Sequence, residues 1–586
     1  MPALRGVALE RRLAYIASVT VDVEPTQGLL ARRAGVVGVA VFGSRILGLV
    51  REQVFAIVFG AGRELDAFIT AFRIPNLLRD LFAEGALSAA FVTTFSRTLA
   101  SDGEKAAWHL ASLVINALLL VVGAITLVGI AAAPFIVAWI APGFDAIPGK
   151  TALTIEMTRV MFPFLLMVAL AAVAMGILNS RNVFGTPASA SSFFNLGSVV
   201  GGLLCAYILA PDFLRPALGI ASQTAGAEPG SHPAARAITG MAIGTLIGGI
   251  LQFVIQIPSL GRVGFRYRAV FSFTDPALRH VLTLMAPAAI GAAAVQVNVL
   301  VNNNFASYLG DGPVSWLNVA FRFMQLPIGV FGVAVASVTL PLISRHAAYA
   351  DRGAMRRTIA DGLELALFLS VPAACGLVVL GEPIIGLIYE HGRFTATDTH
   401  EAARALFGYA VGLAGYAGVK IVAPAFYALG EVRTPVRVSL ISILVNYAMN
   451  WTLVRGLNFG HVGLALSTSA VAVVNFVWLF AVLRRRLDGM EGTRLVRSLL
   501  RIGVAAAVMS LVVHEADTLF SRALSHPTGA LFLESSALAY GARVVAGVGL
   551  GVGIFAAACW LLRLRLPVFS LWRGRPPSED ASLPRP

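Results

Sequence analysis

Charged side chains recur at helical spacing inside an apolar part of the sequence. Asp66, Arg73 and Asp80 are seven residues apart. Glu84 follows four residues later, and Arg79 lies beside the same stripe of a helix. A charge at the centre of a bilayer costs about 2.5–3.5 kcal/mol, so such residues usually face a polar interior. Arginine binds phosphate bidentately and keeps its charge in a low dielectric. This chemistry predicts a cavity for an anionic, phosphorylated ligand.

Groups of the same kind occur before this stripe and in the second half of the chain. They are Ser44, Arg45, Arg51, Glu52, Ser315 and Arg322. Arginines outnumber the acidic residues beside them, which favours anion binding. The alternative interpretation is a set of salt bridges that only hold the helices together.

The composition requires these groups to lie in a membrane protein. Of 586 residues, 57% are hydrophobic and 13% are charged, against about a quarter charged in soluble domains. Mean hydropathy is +0.79. A soluble enzyme, a disulfide scaffold and a disordered regulator are excluded. The net charge of +14 fits basic cytoplasmic loops better than nucleic-acid binding.

Apolar runs predict an all-α polytopic membrane protein with fourteen transmembrane helices. Basic loops alternate with neutral or acidic ones along the helix count, which predicts that both termini are cytoplasmic. We expect an N-terminal extension at 1–34, a first lobe at 35–258, a second lobe at 279–485, two further helices at 496–563 and a cytoplasmic tail at 564–586.

A weak internal repeat supports the two lobes. Ala71-Phe72-Arg73 recurs as Ala320-Phe321-Arg322, a shift of 249 (320 − 71). The shift equals six predicted helices, so the two six-helix lobes form a parallel repeat with a cavity between them. Arg73 and Arg322 then face each other across it, and the last two helices lie outside the repeat.

Other polar residues give weaker indications of function. Asparagines in the seventh and eleventh predicted helices predict interhelical hydrogen bonds, with a cation site as the alternative: Asn302, Asn303, Asn304, Asn446 and Asn450. Gly143…Gly149-Lys150-Thr151 resembles a phosphate-binding loop, but the glycine spacing is wrong and we reject it. No metal-spaced cluster or nucleophile–base set stands out, so neither an enzyme nor a cofactor is expected.

The first two predicted helices resemble one known family. The motifs are Ser44-Arg45-Ile46-Leu47-Gly48, Arg51-Glu52, Asp66-Ala67-Phe68, Phe72-Arg73-Ile74-Pro75-Asn76-Leu77-Leu78-Arg79 and Phe82-Ala83-Glu84-Gly85-Ala86. Further similarities lie at residues 141–144, 177–179, 314–316, 329–334, 340–341, 423–427 and 434–435. Over residues 35–565 the chain resembles the lipid II flippase family MurJ (MviN), within the multidrug/oligosaccharidyl-lipid/polysaccharide exporter superfamily.

The resemblance implies a specific function. Such proteins move lipid II, an undecaprenyl-diphosphate-linked peptidoglycan precursor, across the bacterial inner membrane by alternating access. Membrane lipids and cell-wall synthesis or division machinery are the implied partners, and no nucleic acid is. The family's functional residues match Arg45, Arg51, Arg79, Arg322, Asp66, Glu84, Ser44 and Ser315, to which the repeat adds Arg73. The resemblance also implies that the last two helices form a groove for the lipid tail.

Two departures and two alternatives stand beside this hypothesis. The helices that hold sodium in some relatives offer no carboxylate here, and the segment 211–236 is long. The alternatives are a cation-coupled multidrug exporter of the same superfamily and a non-transporting scaffold for envelope assembly. A basic cavity disfavours cationic drugs, and the cost of intramembrane charge disfavours an inert scaffold.

Overall fold

The structure, a computed structural model, describes residues 27–80, 87–220, 230–525 and 536–564. Within these ranges it is helical and contains no β-strand. The first ten helices form what we call the N-terminal half: α1 (Gln27–Phe59), α2 (Arg63–Arg79), α3 (Leu87–Ser101), α4 (Glu104–Ile140), α5 (Lys150–Met161), α6 (Phe164–Ser180), α7 (Gly185–Leu209), α8 (Pro211–Ala217), α9 (His232–Val254) and α10 (Ile257–Arg262).

The C-terminal half consists of the next nine helices, and two more follow it. The nine are α11 (Pro276–Ser307), α12 (Pro313–Pro327), α13 (Val333–Ala348), α14 (Arg352–Val379), α15 (Gly381–Tyr389), α16 (Ala396–Ala410), α17 (Leu413–Ala428), α18 (Arg433–Asn450) and α19 (Gly460–Arg486). The last two are α20 (Gly492–Ser525) and α21 (Ser536–Leu561).

Several predicted helices differ from the observed ones at their ends or are broken. The first begins at Gln27, inside the predicted extension, whose residues 1–26 lie outside the described ranges. Pro163 separates α5 from α6, because proline lacks the N–H that a helix interior needs. The tenth predicted helix is instead two helices, α16 and α17, with a bend of 42° between them.

The molecule is a multi-pass membrane protein. Nine helical stretches of the described residues are long and apolar enough to cross a membrane, or ten if the bent pair α16–α17 counts as one. Large apolar side chains lie on the outside of these helices, as a lipid environment requires. Phe135 is 77% exposed, Leu444 70% and Trp560 80%.

Each half has apolar cores of its own, and a further cluster joins them. Residues of α1, α2, α5 and α9 pack together in the N-terminal half, and residues of α13, α14, α17 and α19 pack in the C-terminal half. The joining cluster brings Ala56, Ala141 and Phe144 against residues of α11, α12, α15, α16 and α19. The two halves therefore share a buried apolar contact.

The crossing of α7 and α9 depends on glycine. A β-carbon added at Gly244 would lie 2.3 Å from Cα of Gly202. One added at Gly248 would lie 2.4 Å from the carbonyl oxygen of Phe194. Small residues let helix backbones approach this closely in membranes, so α7 and α9 pack with their backbones in contact.

Gly244→Val should lower the thermal stability of the purified protein by more than the roughly 1–3 kcal/mol typical of overpacking, because backbone atoms block the new side chain. Gly123→Val in α4 is the matched control, since nothing lies within 4 Å of a β-carbon there. Thermal unfolding in detergent measures both variants. Equal melting temperatures for the two would contradict the close crossing.

Candidate functional site

Glu52 joins two arginines from opposite halves of the molecule. Its Oε1 accepts a hydrogen bond of 2.8 Å from Nη2 of Arg51, the neighbouring residue on α1. The same oxygen lies 2.8 Å from Nη2 of Arg322, which α12 supplies. Arg51 is 14% exposed and Arg322 43%, so the group opens to solvent on the Arg322 side. One carboxylate between two guanidinium groups leaves a net positive charge.

A second arginine group lies at the end of α2. Nε and Nη2 of Arg79 donate to Oδ1 of Asp80 at 3.2 and 2.9 Å. The other oxygen of Asp80 accepts a 3.1 Å bond from Gln296 on α11. Arg51 lies close enough to Arg79 and Arg322 to interact electrostatically with both. We call Arg51, Glu52, Arg73, Arg79 and Arg322 the arginine cleft.

Arg73 is the least neutralised member of the arginine cleft. It makes no ion pair within the described residues, and its Nε has no hydrogen-bond partner there. It interacts electrostatically with Arg322 and lies close to Tyr409 on α16. Arg73 is about 10 Å along α2 from Asp66 and about 9 Å from Arg79, at 1.5 Å per residue. The two arginines matched by the internal repeat therefore approach each other.

Arg45 and Ser44 lie further along α1. Arg45 is about 9 Å from Arg51 along the helix and is exposed, without an ion pair in the described ranges. The backbone carbonyl of Ser44 accepts a 3.1 Å hydrogen bond from Asn195 on α7. Neither residue belongs to the Glu52 cluster. Glu84, which the sequence places on the same stripe as Arg73, lies outside the described residues.

Asp66 and Ser315 do not face the arginine cleft. Asp66 is fully buried and its Oδ1 accepts hydrogen bonds from the backbone N–H and the hydroxyl of Ser315, at 2.9 and 2.6 Å. Its Oδ2 accepts a 2.8 Å bond from the backbone N–H of Gly312. Asp66 on α2 therefore caps the N-terminus of α12, where the free N–H groups and the helix dipole favour an anion. The two residues join the halves instead of lining open space.

Tight backbone contacts surround this cap. The N–H of Arg393 donates to the carbonyl of Ile57 at 3.0 Å, and a β-carbon at Gly60 would lie 2.6 Å from the carbonyl oxygen of Arg393. A β-carbon at Gly143 would lie 2.5 Å from the carbonyl of Ser307. We call this region the closed end; it comprises Ile57–Gly60, Asp66, Gly143, Lys150, Ser307–Ser315 and Gly392–Arg393.

Several contacts between the halves lie at the closed end, and others join α11 to α3 and α4. Away from α11, their principal helix contacts are α2 with α12 and α1 with α15. Each pair includes a helix end that belongs to the closed end. The arginine cleft lies further along α1, α2 and α12, where the Glu52–Arg322 ion pair and the Asp80–Gln296 hydrogen bond also join the halves.

The asparagines form the interhelical hydrogen bonds that the sequence predicts. Oδ1 of Asn302 on α11 accepts bonds of 3.1 and 2.8 Å from Asn446 and Asn450 on α18. Its amide donates to Thr468 on α19 at 2.8 Å. The amides satisfy one another, and the described residues contain no group of three or more ligands of the kind that holds a metal.

An apolar cavity of about 630 Å³ lies between α14, α20 and α21. Its lining includes Phe368, Cys375, Met509, Gly551 and Phe555. The lining is almost entirely hydrocarbon, with the small residues of α21 leaving the space open. It fits an alkyl or polyprenyl chain and no polar ligand.

The sequence analysis did not recognise the contacts of two residues, Glu52 and Lys150. Glu52 was noted only as a charge on its helix, yet it binds both Arg51 and Arg322. Lys150, in the segment whose likeness to a phosphate loop was rejected, is fully buried and bonded to Asp66. Lysine at full burial needs an acidic partner, but no spacing along the chain identifies a partner 84 residues away.

Comparisons with known proteins identify the family of the chain. The family model described as "Lipid II flippase MurJ" matches residues 55–532. The chain belongs to the MurJ lipid II flippase family. A probable lipid II flippase MurJ of Vibrio cholerae is 32% identical over 532 residues, covering 89% of this chain and 94% of that protein. The lipid II flippase MurJ of Burkholderia cenocepacia is 33% identical over 475 residues, covering 80% and 87%.

Solved structures give the same grouping. A lipid II flippase MurJ in an inward closed conformation aligns with a TM-score of 0.68 and 27% identity, covering 90% of this chain and 99% of that one. An inward-facing multidrug resistance MATE transporter aligns with a TM-score of 0.62 and 16% identity, covering 76% and 94%. The second likeness shows the shared fold alone.

Glu52→Gln should destabilise the resting protein by up to about 3 kcal/mol, because it leaves Arg51 and Arg322 facing each other without their carboxylate. Millimolar pyrophosphate should then raise the melting temperature more in the variant than in the parent, since a bound anion restores the balance. Thermal unfolding with and without pyrophosphate measures this. Glu104→Gln, which breaks the more exposed pair with Arg181, is the control. A response to pyrophosphate equal to the parent's would contradict the anion-binding role of the cleft.

Proposed function

We propose that this chain moves lipid II from the cytoplasmic to the periplasmic leaflet of the bacterial inner membrane by alternating access. The observation that carries the proposal is the arginine cleft between the two halves, in a chain of the MurJ family. A pyrophosphate-linked headgroup needs cationic, bidentate donors inside a membrane, and the cleft supplies them. Its relatives are named as flippases, which are transporters and not enzymes.

The proposed architecture has fourteen spans in total. Two lobes contain six spans each, and the last two helices make up the rest. Ten spans follow from the apolar helices if the bent pair counts as one. The four others proposed are α1, α2 with α3, α11, and α18. These helices carry the arginines, the acidic residues and the asparagines, so they face a polar cleft or one another instead of lipid.

The proposed orientation has both termini in the cytoplasm. The connection after α10 and the end of α19 are rich in arginine, including Arg266, Arg268 and Arg484. Basic residues concentrate on the cytoplasmic side of membrane proteins. Under this topology the closed end faces the periplasm, and the arginine cleft opens toward the cytoplasm, where lipid II is made.

The headgroup is proposed to bind to Arg45, Arg51, Arg79 and Arg322, with Arg73 at the inner end of the cleft. Arg45 is exposed and would meet the diphosphate on entry, with Ser44 beside it. Glu84, on the same stripe of the sequence, is retained as a candidate contact for the sugar–peptide part. Asp66 and Ser315 are assigned to closing the periplasmic end, because both are buried there in this conformation.

The polyprenyl tail is proposed to lie in the apolar cavity between α14, α20 and α21. Its hydrocarbon lining matches the tail, and its position between the C-terminal half and the last two helices, away from the arginine cleft, lets the tail stay in place while the headgroup crosses. Membrane lipids would fill it otherwise. Partners among cell-wall synthesis or division machinery remain a prediction from the family.

Replacing Arg51 or Arg322 with alanine should abolish rescue of a strain depleted of its own lipid II flippase. Each lost charge-assisted bond costs about 1.5–3 kcal/mol, or roughly 10- to 100-fold in headgroup binding. The measurement is growth together with lipid II exposure on intact cells. Arg404→Ala, which removes an exposed arginine paired with Glu401, is the matched control. Full rescue by the cleft variants at normal protein levels would support a scaffold and overturn transport.

Membrane voltage should drive the cycle without ATP. An inside-negative potential of about 100 mV is worth about 2.3 kcal/mol per charge, so a doubly charged diphosphate moving outward gains roughly 4–5 kcal/mol. The same field returns an empty, positively charged cleft inward. Dissipating the potential with an ionophore should therefore stop lipid II exposure. Unchanged export, at unchanged lipid II supply, would eliminate voltage as the driver.

A further inference from the structure

Lys150 is a buried cation that the proposed headgroup binding does not use. It is the first residue of α5, directly after Gly149, whose φ of 75° turns the chain into the helix. A positive charge is unfavourable at the N-terminus of its own helix. Its side chain is nevertheless fully buried, so contacts outside α5 must compensate for that cost.

Those contacts come from both halves of the molecule. Nζ of Lys150 lies 3.1 Å from Oδ2 of Asp66 on α2 and 2.7 Å from Oδ1 of Asp311, just before α12. It also lies 3.4 Å from the carbonyl oxygen of Gly310. The Phe144 ring covers it, with the centroid 4.2 Å from Nζ. Lys150 therefore belongs to the N-terminal half by sequence and binds the C-terminal half directly.

Lys150 is the cation in direct contact with both carboxylates at this point. Two carboxylates, Asp66 and Asp311, share the one ammonium group. Asp66 has further donors at the N-terminus of α12, but these carry only partial charge. Asp311 is 44% exposed, so water screens it partly. Without the ammonium group the two carboxylates would repel each other across the contact that joins the halves.

We propose that Lys150 is the positioning residue that holds the closed end shut. Its ammonium group neutralises Asp66 while gripping Asp311 and Gly310 of the opposite half. Opening must break these contacts and hydrate both buried charges, so Lys150 sets the balance between the closed and open states. The assignment of this event to headgroup release into the periplasm rests on the proposed function.

The test measures opening directly. Cys205, Cys375 and Cys559 are replaced by alanine, and Ala306, 2% exposed beside the closed end, is replaced by cysteine as a probe. Spheroplasts are treated with a membrane-impermeant maleimide, and the labelling rate is followed. Lys150→Met keeps the length of the side chain and removes its charge. It should raise the rate about tenfold or more, because it leaves Asp66 without its buried partner.

A second substitution separates charge balance from packing. Asp311→Asn alone should label at nearly the parent rate, since Lys150 keeps Asp66. The double variant Lys150→Met with Asp311→Asn should label more slowly than Lys150→Met, because the repulsion between the carboxylates is gone. A parent-like rate for Lys150→Met overturns the proposal. So does a double variant that labels as fast as Lys150→Met, which would mean that only packing was lost.

The same strains distinguish this inference from the proposed function. Labelling needs no lipid II, whereas rescue of a flippase-depleted strain does. If the cysteine parent fails to rescue while Lys150→Met still raises labelling and Asp311→Asn reverses it, the positioning role holds and lipid II transport falls. If the parent rescues but Lys150→Met leaves the labelling rate unchanged, the positioning role of Lys150 is rejected and the proposed lipid II transport stands.

Discussion

The cost of placing charge inside a membrane governs the arrangement of this protein. An ionised group in hydrocarbon must find a partner or face a polar space. Glu52 lies between Arg51 and Arg322 and is the acidic partner of both. Asp66 is paired with Lys150 and with the N–H groups at the N-terminus of α12. Both solutions join residues from opposite halves, so the same requirement that buries the charges also brings the halves together.

The two charge clusters differ in how completely they are satisfied. At the closed end, Asp66 accepts bonds on both oxygens, and Lys150 touches two carboxylates, a carbonyl and an aromatic ring. In the arginine cleft, one carboxylate serves two arginines, and Arg73 has no ion pair within the described ranges. A satisfied cluster holds a contact closed, whereas an excess of cations attracts an anion. The closed end and the proposed headgroup site in the arginine cleft therefore both combine acidic and basic side chains, in different proportions.

Neutral polar groups have a separate task. Asn302, Asn446, Asn450 and Thr468 bond to one another between α11, α18 and α19. They join helices of the C-terminal half without adding charge. The glycines at the closed end act through their small size, since Gly60 and Gly143 allow backbones of the two halves to touch.

Sequence alone determined the membrane class, most of the apolar helices and the stripe of charged residues on α2, because these depend on hydropathy and on the 3.6-residue period of a helix. It also gave the arginines that gather in the cleft. It did not separate them from Asp66 and Ser315, which lie on or beside the same helices but at the closed end. Nor did it find the partners of Glu52 or Lys150. Those contacts join residues from 84 to 270 positions apart (150 − 66 and 322 − 52), which only the packing of the two halves brings together.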